Sequence, residues 1–223
     1  LGLLLLVSKR WAEAKDEFAW IVQHVPDDVE GRFNLGRALY GEKDYEAARR
    51  EYLQVIELRK GNYPEAYLNL GLAAIAQDRF DEAERFYRKA ISLREAYPEA
   101  WYNLGLAHLR WDQWAKAEAA FRTALKQKPH YEQAWFNLGV LYTRLEREDD
   151  AIDAYRKAVE IYPDYHQARL NLAVRYAKKE RYEDAIREYR ALLERDNTYA
   201  LAWGNLGLAY RNTGAAKRAE EAL

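Results

Sequence analysis

Apolar and small residues return along this chain at one long, fixed period, with polar and charged residues filling the positions between. The triplet Asn-Leu-Gly stands at Asn34-Leu35-Gly36, Asn69-Leu70-Gly71, Asn103-Leu104-Gly105, Asn137-Leu138-Gly139 and Asn205-Leu206-Gly207. Asn171-Leu172-Ala173 fills the remaining place, so successive copies are 35, 34, 34, 34 and 34 residues apart. Numbering each unit so that this Leu is slot 7 aligns the rest. Slot 20 is Ala14, Ala48, Ala83, Ala117, Ala151, Ala185 and Ala219; slot 24 is Phe18, Tyr52, Tyr87, Phe121, Tyr155, Tyr189 and finally Leu223. Slot 8 is always Gly or Ala. Slots 4, 7, 11, 20, 24 and 27 carry most of the apolar residues at helical spacing, which predicts two helices per unit. Small residues at slots 8 and 20 let the helix axes approach, and the large residue at slot 24 is expected to fill the hole between one pair and the next. Pro26, Pro129 and Pro163 mark breaks at slot 32. Pro64 and Pro98 stand at the start of the following helix, where proline is tolerated.

A period of this length is the mark of a solenoid, in which each unit buries its apolar face only by stacking on its neighbours. With the slots in view, the chain resembles the tetratricopeptide repeat family, whose signature is W-x2-L-G-x2-Y, then A-x3-F, then P. Trp135, Leu138, Gly139, Tyr142, Ala151, Tyr155 and Pro163 reproduce it in one unit, with Tyr for Phe. Trp101, Leu104, Gly105, Ala117, Phe121 and Pro129 do so in another, with His108 in place of the first Tyr. The resemblance implies an all-α, right-handed superhelical solenoid of helix-turn-helix repeats, a single array over residues 1–223. Its full repeats run 29–63, 64–97, 98–131, 132–165 and 166–199, with partial repeats at 1–28 and 200–223.

Residue 1 enters at slot 7 and residue 223 stops at slot 24, so the chain is expected to be part of a longer array. Apolar faces left by Leu3 to Leu6 and by an unfinished final helix are expected to fray or to associate end to end. The run from Leu1 to Val7 is too short to span a bilayer, and its register with Trp11, Ala14, Phe18 and Pro26 makes it the end of a first helix.

Composition narrows the function classes. The 35 basic and 36 acidic side chains balance, which argues against bulk attraction to nucleic acid or an anionic membrane. There is no Cys for a disulfide, a thiolate metal site or a nucleophile. His24, His108, His130 and His166 fall at different slots without metal-ligand spacing. His108 takes a tyrosine-type packing position and reads as a core histidine. The 11 glycines follow the repeat and form no phosphate-binding loop. Carboxylates beside bases, as in Glu82 to Arg85 or Asp153 to Lys157, read as solvated helix faces. Catalysis, cofactor and metal are therefore not expected.

In the family, the groove is lined mainly by the first helix of each pair, and by resemblance slots 2, 5, 6, 9, 12 and 13 face it. Slot 6 is asparagine in every unit: Asn34, Asn69, Asn103, Asn137, Asn171 and Asn205. Asparagine is a mediocre helix former, but its amide offers donors and an acceptor suited to a peptide backbone. Packed helices lie about 10 Å apart, and an extended chain advances about 3.3 Å per residue. Each asparagine would thus meet every third residue of a bound segment. Such a ladder resembles the repeat region of protein O-GlcNAc transferases, so a substrate-selecting region of a larger glycosyltransferase is one alternative to a free-standing scaffold. An adaptor in an envelope export or assembly machine is another. Around the ladder, Phe33, Tyr102 and Phe136 supply aromatic surface, Leu106, Val140 and Val174 aliphatic surface, and Arg110, Arg144 and Lys178 a basic edge. Glu30, Glu65 and Glu99 begin the earlier repeats at slot 2. The expected partner is a protein or peptide carrying apolar side chains, with acidic groups toward the later repeats. The two-carboxylate clamp of chaperone-binding relatives needs Lys at slot 5 and Asn at slot 9, and neither occurs there. Trp20 and Trp111 fall outside the consensus, and Trp111 with Trp114 is a secondary contact candidate.

Overall fold

The computed structural model describes residues 1–215, and the expectations for Ala219, Leu223 and the final helix lie outside them. Among the described residues there are thirteen helices and no strand: α1 Gly2–Val7, α2 Trp11–His24, α3 Val29–Gly41, α4 Tyr45–Leu58, α5 Pro64–Ile75, α6 Phe80–Leu93 and α7 Pro98–Arg110. After them come α8 Trp114–Gln127, α9 Glu132–Arg144, α10 Glu148–Ile161, α11 His166–Lys178, α12 Tyr182–Leu193 and α13 Ala200–Asn212. From α1 onward the odd-numbered helices carry slots 1 to 13 and are termed A; the even-numbered ones carry slot 20 and are termed B. Pro64 and Pro98 occupy the first turns of α5 and α7. The chain divides into two compact units, Leu1–Ala120 and Phe121–Leu223.

In the first unit each helix from α1 to α6 packs on the next, and A helices also touch A helices, α1 on α3, α3 on α5 and α5 on α7. Slot 8 glycine makes the close approach possible. A Cβ on Gly36 would stand 2.5 Å from the Tyr52 ring, and one on Gly71 2.4 Å from Tyr87, far inside contact distance. The slot-24 ring therefore fills the gap within its own pair, which differs from the expected place between pairs. It serves that place too, because Tyr52 shares a buried cluster with Ala66 and Leu70 of the following repeat. The opening run is indeed helical: Leu5 and Leu6 pack with Ala14 and Phe18, while Leu1, Leu3, Leu4 and Val7 are exposed.

The second unit repeats the device, with a Gly139 Cβ placed 2.6 Å from Tyr155. There α9 packs on α10, α10 on α11, α11 on α12, and α13 on both α11 and α12.

Every A helix closes the same way. Slot 15 is left-handed in all seven copies: Lys9, Lys43, Asp78, Asp112, Glu146 and Glu180 have φ between 54° and 66°, and Gly214 has 79°. The N–H of slot 16 then donates to the carbonyl of slot 11, as from Arg147 to Tyr142 and from Arg181 to Tyr176, each at 2.9 Å, the six-to-one bond of a Schellman ending. Only the last copy uses the residue that adopts this backbone without a Cβ clash. The extra residue of repeat 29–63 is absorbed after α4 by a left-handed pair, Lys60 at 50° and Gly61 at 81°.

Candidate functional site

The sequence-predicted residues all lie on A helices. In the first unit α3, α5 and α7 carry Asn34, Asn69, Asn103, Phe33, Tyr102, Leu106 and Arg110; in the second, α9, α11 and α13 carry Asn137, Asn171, Asn205, Phe136, Val140, Val174, Arg144 and Lys178. Slots 2, 5, 6, 9 and 13 fall on one side of an A helix at 100° per residue, and slots 4, 7 and 11 on the other. Burial follows that division. Leu70, Leu104, Leu138 and Leu172 are buried, whereas Tyr102, Leu106, Phe136, Val140 and Val174 keep intermediate exposure. Each unit thus presents a half-exposed apolar strip along its A helices.

The asparagines share a geometry that spacing did not show. Asn34, Asn69, Asn103 and Asn137 each donate from Nδ2 to the carbonyl four residues back, that of Glu30, Glu65, Glu99 and Gln133, at 2.8–2.9 Å. This bond recovers some of what asparagine loses as a helix former and fixes the amide's orientation. At Asn69 and Asn103 it uses one of two donors and leaves the amide oxygen unused. Asn34 differs, since it is 7% exposed and its oxygen accepts from Arg37 Nη1 at 3.0 Å. Asn171 lies beside the Tyr155 hydroxyl: burial raises that phenol above its ordinary value, while hydrogen bonding with Thr143 and Asn171 opposes the rise. Asn205 is half-buried on α13.

The aromatic members are partly committed to packing. Phe33 tilts against Tyr52 and Tyr63 at 5.8 and 5.3 Å, and Phe136 against Tyr155 and Tyr165 at 5.8 and 5.0 Å. Tyr63 donates to Glu30 at 2.9 Å, and burial together with that bond pushes its hydroxyl up to about 12. The charged edges are also engaged. Arg110 pairs with Asp78 at 2.7 Å and Lys178 with Glu148 at 2.5 Å, each from the preceding repeat, and Arg94 pairs with Glu65. Arg144 is exposed. The two ion pairs expected within helices are replaced. Glu82 binds Arg49 at 2.8 Å across the B helices, Asp153 takes Arg156 at 2.6 Å, and Lys157 takes Glu160 at 2.8 Å.

Sequence reading missed a second recurring contact. Slot 4, expected to be apolar, is Arg in two repeats, and there it forms a shielded ion pair with a slot-23 Glu: Arg32 with Glu51 at 2.9 Å and Arg169 with Glu188 at 2.7 Å. The same side chains donate to the carbonyl six residues back, Arg32 to Pro26 at 2.7 Å and Arg169 to Pro163 at 3.0 Å. Tryptophan at slot 4 does likewise, Trp135 to Pro129 and Trp203 to Asn197, both at 2.9 Å. The signal was present as a covariation: Arg at slot 4 goes with Glu at slot 23, Tyr67 with Phe86, and Trp101 and Trp135 with Ala120 and Ala154.

Of the tryptophans outside the consensus, Trp111 stacks on Phe80 at 5.8 Å and Trp114 is partly exposed, while Trp20 is 61% exposed and stacks on His24 at 4.1 Å. His108 is buried at 2% exposure, with Nε2 3.9 Å from Glu84. Among the described residues no three of His, Cys, Asp or Glu cluster to hold a metal ion, and no helix is long and apolar enough to cross a membrane.

Tandem helical hairpins with a glycine-to-aromatic contact and a half-exposed A-helix strip define a helical-repeat solenoid scaffold. Tetratricopeptide repeat profiles match residues 27–96, 63–130, 102–166 and 170–223, and the chain belongs to the tetratricopeptide repeat family. No curated protein sequence matches it. Among solved structures, MamA is 26% identical with a TM-score of 0.67, the match covering 74% of this chain and 96% of that one. YrrB, described as a TPR protein with an unusual peptide-binding site, is 22% identical over 83% of this chain and 95% of its own, with a TM-score of 0.62. The APC/C hetero-tetramer Cut9-Hcn1 is 16% identical over 96% of this chain and 42% of that one, with a TM-score of 0.71. The chain is thus a tetratricopeptide repeat scaffold, an architecture of protein–protein interaction whose members are generally non-catalytic.

Proposed function

We propose that the A-helix strip of each unit binds an extended segment of a protein partner, its backbone paired with that unit's slot-6 asparagines and its apolar side chains set on slots 5 and 9. The supporting observation is the repeated placement of an oriented amide beside half-exposed Leu, Val, Tyr or Phe on successive A helices. Asn69, Asn103, Asn137 and Asn171 form the working part of the ladder. Asn34 contributes least, being buried and bonded to Arg37. Pairing of Arg110 and Lys178 with carboxylates weakens the basic edge, so apolar contact and backbone pairing set affinity and charge sets little of it. Each amide contact contributes about 0.5–1.5 kcal/mol, and ordering the free segment offsets much of the total. Micromolar affinity is therefore expected.

The test is calorimetry with a segment selected on the intact chain from a random extended-peptide library. Replacing Asn103, Asn137 and Asn171 together by Ala should weaken binding at least tenfold and leave thermal stability unchanged or slightly raised, since Ala is the better helix former. Unchanged affinity with lowered stability would make the asparagines packing residues.

A further inference from the structure

The slot 4 to slot 23 contact is closed by an ion pair in repeat 166–199 and left open in repeat 132–165. There Trp135 faces Ala154, and a hollow of about 440 Å³ remains over the tryptophan. Three helices wall it, each presenting a row at helical spacing. Arg122 and Lys126, four residues apart, stand on α8; Asp150 and Asp153, three apart, stand on α10; Trp135 lies between them on α9 with Leu138 and Tyr142 beneath. All four charged residues are exposed. Their present partners are local: Arg122 donates to the Tyr142 hydroxyl at 3.0 Å, Asp150 binds Arg147 at 2.7 Å and Asp153 binds Arg156 at 2.6 Å. Exposed pairs of this kind contribute little and exchange readily.

We propose that this hollow is a second docking site, for an amphipathic α-helix of a partner protein with an apolar stripe flanked by acidic residues on one side and basic residues on the other. Charge complementarity specifies the occupant. A trough with a cationic wall, an anionic wall and an aromatic floor accepts a rod carrying the mirror-image arrangement, and a side chain recurring every three or four residues matches walls that are themselves helices. On α9 the floor slots 4, 7 and 11 point roughly opposite to slots 6 and 9, which carry Asn137 and Val140. The site is therefore independent of the A-helix strip, and both can be filled at once.

The probes are helix-stabilised synthetic peptides with one leucine stripe and flanks that are split Glu and Lys, all Glu or all Lys, titrated into the isotope-labelled chain. The split-charge peptide should bind most tightly, shifting the amides of Leu125 and Ala154 and the Trp135 indole. The variant Asp150→Lys with Asp153→Lys makes both walls cationic and should switch preference to the all-Glu peptide by at least tenfold. Trp135→Arg with Ala154→Glu installs the pairing that repeat 166–199 already uses, replaces the aromatic floor by an ion pair and should abolish the shifts. No shift at the hollow, the same peptide ranking in wild type and the lysine variant, or undiminished binding by the Trp135→Arg, Ala154→Glu variant would each overturn the proposal.

Discussion

Repeats 132–165 and 166–199 follow one another in the chain and place opposite chemistry at slots 4 and 23. One sets Trp135 over Ala154; the other sets Arg169 against Glu188. Both side chains nevertheless donate to the proline carbonyl that precedes their own helix. At slots 11 and 16, Arg147 lies 4.4 Å over Tyr142 and Arg181 4.4 Å over Tyr176, whereas the first unit has Leu39 with Asp44, Ala74 with Arg79 and His108 with Gln113 there. The repeat therefore constrains the slot-4 hydrogen bond to the carbonyl six residues back, and the residue at slot 23 changes with the one at slot 4.

The comparison breaks most visibly at the shielded ion pair. Arg169→Ala leaves Glu188 without its partner and the Pro163 carbonyl without its donor, and should cost about 3–5 kcal/mol. Arg169→Trp with Glu188→Ala, the neighbour's solution, should return the chemical unfolding midpoint close to wild type, because apolar replacements of shielded pairs are often nearly neutral. If the double variant is as unstable as Arg169→Ala, the two arrangements are not equivalent.

A smaller effect is expected at slot 11. Burial lowers the His108 pKa below its ordinary value, against the attraction of Glu84. The unfolded chain then binds more protons than the folded one once the pH falls below the usual histidine value of about 6.5, so stability is full above that pH and declines as the pH drops toward the lower folded value. His108→Tyr, the residue used at this slot in the second unit, should flatten the unfolding midpoint between about pH 7.5 and 5 relative to wild type. A wild-type profile already as flat as the variant's would show that the histidine does not carry this linkage.

The smallest effect concerns the A-helix endings. Glu146 and Glu180 adopt the left-handed backbone that Gly214 adopts freely. Each change to Gly relieves a Cβ clash of about 1–2 kcal/mol and gives part of it back as unfolded-chain entropy, leaving a gain of about 0.5–1 kcal/mol per site. Urea titration of the single variants checks the sign.

Much of this was legible in the sequence. Leu138, Gly139 and Tyr155 at helical spacing, and the prolines at slot 32 or at the first turn, give the helical hairpin directly. The seating of the slot-24 ring on its own pair's glycine was not legible, because a large residue at that spacing can fill the gap within a pair or between pairs. Slot 15 was not legible, because Lys, Asp and Glu there carry no mark of a left-handed turn. Arg32 and Arg169 were hidden by a search for apolar slots, although their Glu partners recur 19 residues later in both repeats. The asparagines were visible as a pattern and their side-chain bonds were not, because the same periodicity serves a helix back-bond and a ligand contact alike.

Those bonds lead to the measurement that tests the central claim most directly. The side-chain amide signals of Asn69, Asn103, Asn137 and Asn171 can be followed by isotope-edited NMR during titration with a segment selected on the chain. These four Nδ2 groups should shift in saturable fashion as the segment binds, with a common dissociation constant for Asn69 and Asn103 and for Asn137 and Asn171, while Asn34 moves least. Saturating binding that leaves all four unmoved would contradict a ladder of asparagines as the binding device.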